Sequence, residues 1–205
     1  MDRHLRPQLD FVVHECPAVR TVPRVVVVHG DGMPPQSRCA ASEPGRFVFL
    51  QPPCERFGTH HSKALFIVRP AKLTVAVLSG NFIFADVWNK TNGIWAESFP
   101  RAARAPATAG SVAAPIGAFG EDLDGYYREV RELGMHPPSQ WQPQSAAEQA
   151  RWAALDLRWI RCYDYTACRA RLLGAVPGRH TGEKLGRWGH MQVRGLHADC
   201  MLIAC

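Results

Sequence analysis

The chain reads as an α/β domain in which a mixed central sheet is flanked by helices. Three observations predict this class. Four apolar runs between residues 24 and 79 are dense in Val, Phe and Leu and do not alternate cleanly with polar residues. That is the pattern of strands covered on both faces. Two stretches with helical apolar spacing follow after residue 120. Finally, 205 residues with 46% hydrophobic and 20% charged content are ordinary for one globular domain with a full core.

The elements follow in order. Arg24–Val28 is a Val-rich strand running into the Gly30-Asp31-Gly32 turn, and Arg46–Leu50 is a second, stopped by Pro52 and Pro53. Residues 63–68 and 73–78 are a third and fourth, joined by the Arg69-Pro70-Ala71-Lys72 turn, so they are expected to pair as neighbours. Together the sheet is predicted to hold residues 24–28, 46–50, 63–68 and 73–78. Residues 100–118 are rich in Ala, Pro and Gly without an apolar period, and read as a surface loop, not a domain boundary. Glu121–Leu133 carries Leu123, Tyr126, Tyr127 and Val130 at helical spacing, with Gly134 as its stop. Ala146–Ile160 repeats the pattern with Trp152, Leu155 and Trp159, and Ser145 is its N-cap. Arg171–Val176 reads as a late strand closing at Pro177-Gly178, and Trp188–His197 as a final short helix. No internal repeat is visible.

Charge and cysteine usage bound the function. A formal charge of +6 and a pI near 9.1 favour an anionic partner. No uninterrupted apolar stretch is long enough to span a bilayer, so no membrane partner is expected. The stretch Met1–Pro7 has charges with no apolar core behind them and does not read as a secretory signal. The seven cysteines are an odd number without a C-x-x-C pair. Reduced thiols are expected, with neither a disulfide framework nor a zinc site.

The most informative segment is Phe57-Gly58-Thr59-His60-His61-Ser62-Lys63, with Ser79-Gly80-Asn81 placing Asn81 eighteen residues after Lys63. Side chains alternate faces in an extended chain, so His61 and Lys63 should point one way and His60 and Ser62 the other. Pairing of the third and fourth runs would bring Asn81 back towards them. A histidine, a lysine and an amide so placed can hold and attack a phosphodiester with no metal or other cofactor. That is one half of a site.

The chain resembles the N-terminal half of the tyrosyl-DNA phosphodiesterase family, a branch of the phospholipase D superfamily. The match runs through Val28-His29-Gly30-Asp31, the Phe57–Lys63 segment, Ser79-Gly80-Asn81, Ala85-Asp86-Val87-Trp88 and Lys90-Thr91-Asn92-Gly93-Ile94-Trp95. It continues through Val176-Pro177-Gly178-Arg179 and Trp188-Gly189-His190. The general superfamily motif has an aspartate after the lysine, where this chain is apolar; the asparagine version marks the tyrosyl-DNA branch. The resemblance implies a phospholipase D-like half-domain over residues 1–205, and a phosphoric diester hydrolase acting in DNA repair in the nucleus. It would work as an exonuclease-like enzyme removing adducts such as topoisomerase tyrosine from single-stranded or nicked DNA 3′ ends. By the same resemblance His61 is the nucleophile, forming a phosphohistidine. Lys63 and Asn81 hold the non-bridging oxygens, Ser79 lies in the substrate-binding stretch, and Phe57 stacks on a base. Attack requires a neutral imidazole.

Family enzymes carry a second histidine-lysine-asparagine set whose histidine is the general acid. After residue 100 this chain has His136, His180, His190 and His197, none followed two places later by lysine. A fragment, a truncated gene model or a degenerate paralogue fits this, and a homodimer or a separate second half would complete the site. A catalytically incomplete DNA-end-binding or vestigial domain is the alternative from another class. Other features have bland readings. Phe57 is equally a core or rim aromatic. Asp86, Trp88 and Lys90 read as a helix start and its solvated face, and Arg179 as a solvent-facing turn residue. His29, His60 and His190 read as structural. Glu121, Asp122 and Asp124 read as acidic charge at a helix N-terminus, not a metal site.

Overall fold

The computed structural model describes residues 9–30, 41–43, 45–55, 58, 60–103, 115–141, 144–194 and 201–204. In chain order α1 is Leu9–Glu15, β1 Val25–Val28, β2 Phe47–Leu50, β3 Ala64–Val68 and β4 Lys72–Leu78. Then come α2 at Phe84–Asn89, β5 at Ile94–Pro100, α3 at Ala118–Met135 and α4 at Ala146–Ala153. β6 at Ala170–Leu173, α5 at Gly189–Val193 and β7 at Met201–Ala204 complete the order. The mixed α/β class is as the sequence predicts.

The chain divides into two compact units. The first holds the described residues of 1–63, 78–93 and 133–154, and the second those of 64–77, 94–132 and 155–205. In the first, β1 and β2 pair in parallel from Val25 opposite Phe47 to Val28 opposite Leu50. Helix α1 presents Leu9 and Val13, one turn apart, to Phe47, with Val19, Val25 and Phe49 packed around them. Arg46 fastens the approach to β2 by donating to the carbonyls of Val22, at 2.8 Å, and Val19. Farther along, the Trp152 indole is buried and donates to the carbonyl of Gln51 at 3.2 Å.

In the second unit β3, β4 and β5 form a sheet in that order, with β3 antiparallel to β4 from Ala64 opposite Val77 to Val68 opposite Leu73. Its core is aromatic: Phe99 lies 5.4 Å from Phe119 and 4.6 Å from Tyr165, ring centre to ring centre. The buried Tyr165 hydroxyl donates to the carbonyl of Ile160 at 2.8 Å, so burying it leaves no orphan polar group. β6 pairs with β7 in parallel.

Several expectations need correction. The four apolar runs do form strands, but not one central sheet: among the described residues the strands fall into β1–β2, β3–β4–β5 and β6–β7. β4 takes β3 on one edge and β5 on the other, so its backbone groups are satisfied within that sheet. Helix α3 starts three residues earlier than predicted and runs through Gly134 to Met135. Gly134 serves packing instead: a Cβ there would stand 2.3 Å from the Trp152 ring. Ser145 is the N-cap as expected, and the structure adds a capping box in which Ser145 and Glu148 exchange hydrogen bonds. The helix it starts, however, ends at Ala153, and the chain re-enters a 3₁₀ turn at Arg158–Cys162. The Asp156 carboxylate accepts from the backbone N–H of Arg158 at 2.9 Å and starts that turn afresh. The late strand is shorter than predicted, ending at Leu173. The final helix covers Gly189–Val193 of the predicted span. Of the Ala/Pro-rich loop, residues 104–114 lie outside the described residues.

Candidate active site

His61 and Lys63 sit on an extended segment that enters β3 at Ala64. The backbone N–H of Leu78 donates to the carbonyl of Lys63 at 2.9 Å, extending the β3–β4 pairing to the lysine itself. The side chains of His61 and Lys63 converge, as alternation requires. Lys63 Nζ lies 3.0 Å from Nδ1 and 3.2 Å from Nε2 of His61, and donates to the His61 carbonyl at 2.7 Å. An ammonium can only donate, so the ring nitrogen that takes its hydrogen bond offers a lone pair. His61 is exposed and Lys63 half-buried.

His60 takes the other course. It is half-buried, and its pKa is pushed down to about 4 by burial first, then by the charges of His29, Lys63 and His61. It stays neutral at physiological pH. His29 is buried, its backbone N–H prolonging the β1–β2 ladder to the Leu50 carbonyl at 3.0 Å.

Asn81 belongs to a loop cross-linked from both ends. Its backbone N–H donates to Asp86 Oδ2 at 3.0 Å, and its side-chain Nδ2 donates to the same oxygen at 2.5 Å. Lys90 Nζ donates to the other oxygen, Oδ1, at 2.6 Å. The hydrogen bond from Lys90 and the two from Asn81 lower the pKa of Asp86 to about 2. Behind it, Asn92 Nδ2 donates to the Asp86 carbonyl at 2.7 Å. Ser79 Oγ accepts from the backbone N–H of Gly93 at 2.9 Å and donates to Asn92 Oδ1 at 3.2 Å. Gly80 is required by this closeness, since a Cβ there would lie 2.6 Å from Asn92 Oδ1.

A family model described as "Tyrosyl-DNA phosphodiesterase" matches residues 7–200 of this chain. The chain belongs to that family. Over 196 residues it is 31% identical to tyrosyl-DNA phosphodiesterase 1 of Arabidopsis thaliana, a stretch covering 94% of this chain and 30% of the plant protein. Over 146 residues it is 32% identical to tyrosyl-DNA phosphodiesterase 1 of Drosophila melanogaster, covering 69% of this chain and 22% of the fly protein. The chain thus spans less than a third of the length of either relative.

Within this tyrosyl-DNA phosphodiesterase family member, the sequence-predicted residues fare differently. His61 and Lys63 meet, and Asn81 follows Leu78, the residue bonded to Lys63, by three positions. The Ser79 hydroxyl is engaged inside the loop. Phe57 lies outside the described residues. Asp86 does stand in the first turn of α2 as predicted, but it is only 4% exposed and not part of a solvated face. Trp88 and Lys90 are exposed, as is Arg179. The three acidic residues near the start of α3 pair with arginines: Glu121 and Asp124 with Arg161, Asp122 with Arg171. Asp86 and Asn92 are the residues that sequence reasoning missed. The available signal was the spacing of Asp86 to Lys90, four residues apart on a helix and so able to pair. A separate cavity of about 450 Å³ is lined by Arg24, His29, Phe47, Phe49, Glu148 and Arg151, among others, and not by His61, Lys63 or Asn81.

Proposed function

We propose that this chain carries the nucleophilic half-site of a phosphoric diester hydrolase that removes 3′ adducts, such as a topoisomerase tyrosine, from single-stranded or nicked DNA. The reading belongs to DNA repair and to the nucleus. The observation that carries it is the contact of Lys63 Nζ with the His61 ring at 3.0 Å, inside the stretch matched by the family.

The chemistry runs in two displacements. A ring nitrogen of His61 donates its lone pair to phosphorus, and the bond from phosphorus to the tyrosine oxygen breaks, releasing a phenolate. Water then attacks the phosphorus, the phosphorus–nitrogen bond breaks and the water's proton passes to solvent, leaving a DNA 3′-phosphate and neutral histidine. Lys63 shifts from His61 onto a non-bridging oxygen, and the Asn81 amide donates to another, so a cation and a fixed dipole meet the developing charge. The reading assigns protonation of the leaving group to a second histidine, brought by a second half or a second copy, because His61-Ser62-Lys63 is the sole His-x-Lys in the 205 residues. General acid help is worth about 10²–10⁴-fold, so the chain alone releases tyrosine slower by that order.

The test is incubation with a 3′-phosphotyrosyl oligonucleotide in chelator, followed by denaturing gel electrophoresis. The wild-type chain should form a covalent protein–DNA adduct that His61→Ala does not. Adduct persisting in the alanine variant would remove His61 from the nucleophile's role. The sole His-x-Lys pair also favours a second reading, a DNA-end-binding domain without turnover; it predicts binding of the same oligonucleotide with neither adduct nor cleavage.

A further inference from the structure

The loop between β4 and β5 is organised around one buried carboxylate, and what that carboxylate holds is the residue read as a phosphate ligand. Asp86 Oδ2 receives both the backbone N–H and the side-chain N–H of Asn81, at 3.0 and 2.5 Å. Fixing the backbone sets where the side chain starts; fixing the amide sets how it turns. We propose that Asp86 is the positioning residue for Asn81, locking its amide with the nitrogen inward on the carboxylate so that the second N–H of that nitrogen serves as the phosphate donor. The proposal rests on the reading of Asn81 as a phosphate ligand.

Donor and acceptor chemistry fixes the orientation of the amide. An asparagine on an untethered loop can rotate its amide and offer either end, and its carbonyl oxygen would repel a phosphate. An ionised carboxylate only accepts, so the atom facing Asp86 must be the nitrogen. A charged acceptor also polarises the amide, strengthening its remaining donor. A carboxylate this close to a phosphate would be repulsive if left bare. Lys90 answers that charge from 2.6 Å on the other oxygen. Both carboxylate oxygens already accept hydrogen bonds, one from Lys90 and the other twice from Asn81, so Asp86 is built as an ionised acceptor and its pKa is lowered accordingly. Asn92 completes the frame by donating to the Asp86 carbonyl at 2.7 Å, which holds the first turn of α2 against the end of the loop.

The experiment has two arms on the full chain. The first needs no activity: the side-chain amide protons of Asn81 are followed by ¹⁵N-resolved NMR in wild type, Asp86→Asn and Lys90→Ala. In wild type one of the two proton signals should be shifted downfield and slow to exchange with solvent, as a hydrogen bond to Asp86 requires. Asp86→Asn keeps the shape of the side chain but lacks its charge, and it should shift and deprotect that proton. Lys90→Ala should leave it protected. Exchange of both protons with solvent as fast as in an exposed asparagine in wild type, or no change in Asp86→Asn, would overturn the positioning role.

The second arm measures single-turnover adduct formation on the 3′-phosphotyrosyl oligonucleotide for Asn81→Ala, Asp86→Asn and the double variant. Misplacing the amide by about 1 Å is expected to cost about 10²-fold. The double variant should be no slower than Asn81→Ala alone, since Asp86 acts through Asn81. Independent, multiplying losses would overturn the proposal. If wild type forms no adduct while its Asn81 proton is protected, the functional reading fails and the tether stands.

Discussion

The two segments of the candidate site are built on opposite plans. The His61–Lys63 arm is an extended stretch whose reactive side chains meet each other, with the imidazole exposed. The Asn81 loop is folded around a carboxylate that is 4% exposed, and its side chains are committed to one another through Asp86, Ser79 and Asn92. In the proposed reaction the difference has a purpose. A nucleophile and a cation must change partners as phosphorus is attacked, so they profit from a setting that lets them move. A fixed dipole lowers the barrier only if it need not reorganise, so it profits from being tied down.

The largest expected effect separates chemistry from stability within the arm. Lys63→Ala should slow adduct formation on a 3′-phosphotyrosyl end by about 10²–10³-fold, the usual cost of deleting one donor to a developing oxyanion. Its urea midpoint should stay close to wild type, because truncating a side chain that reaches an exposed histidine removes little packing and typically changes stability by less than about 0.5 kcal/mol. A large fall in the midpoint would show that the arm is structural and break the contrast with the loop.

Acid should dismantle the two segments in sequence. His60 is pushed from an ordinary 6.5 to about 4, so folding favours its neutral form. The stability it contributes is complete above about 6.5 and is lost as pH falls towards 4, where the unfolded chain binds a proton that the folded chain refuses. Asp86 is lowered from 3.8 to about 2, so its contribution is complete above 3.8 and lost only as pH falls towards 2. Stability measured by urea titration should therefore decline first between 6.5 and 4, and His60→Asn should flatten that step while leaving the lower one. A decline confined to below pH 4 would mean that the fold does not hold His60 neutral.

How much of this was legible in the chain follows from which forces are local. The period-two alternation of an extended strand is a local rule, and it brings Lys63 onto His61 as read. The β3–β4 hairpin was equally legible, since two apolar runs flank a short turn containing Pro70. β5 was not: Ile94–Pro100 mixes Glu97 and Ser98 with Trp95 and Phe99 and ends in proline, and its strand state is set by the edge that β4 offers. The parallel partnership of β1 with β2 depends on a long connection that carries no register signal. Gly134 read as a stop because a glycine near a helix end usually is one; only the Trp152 ring against it says otherwise. Asp86 was visible as a helix-start acid, and its spacing to Lys90 was visible too. Which way that turn of helix would face is tertiary information, and with it the tie to Asn81.

The smallest effect concerns Ser79, whose hydroxyl can serve the loop or the substrate. Its oxygen accepts from the backbone N–H of Gly93 and donates to Asn92 Oδ1, so it bridges the two ends of the loop. Removing such a hydroxyl from an exposed position should cost about 0.5–1.5 kcal/mol, the net worth of a hydrogen bond exchanged with water. Asn81 would remain tied to Asp86, because neither of those bonds passes through Ser79. Ser79→Ala should therefore lower the urea midpoint slightly and leave both adduct formation and binding of a 3′-phosphorylated oligonucleotide within about a factor of two of wild type, since an uncoupled surface change of this kind moves little else. Fluorescence anisotropy with that oligonucleotide decides the matter. A tenfold loss of binding at unchanged stability would assign the hydroxyl to the substrate, and the loop would then be a ligand surface at both of its ends.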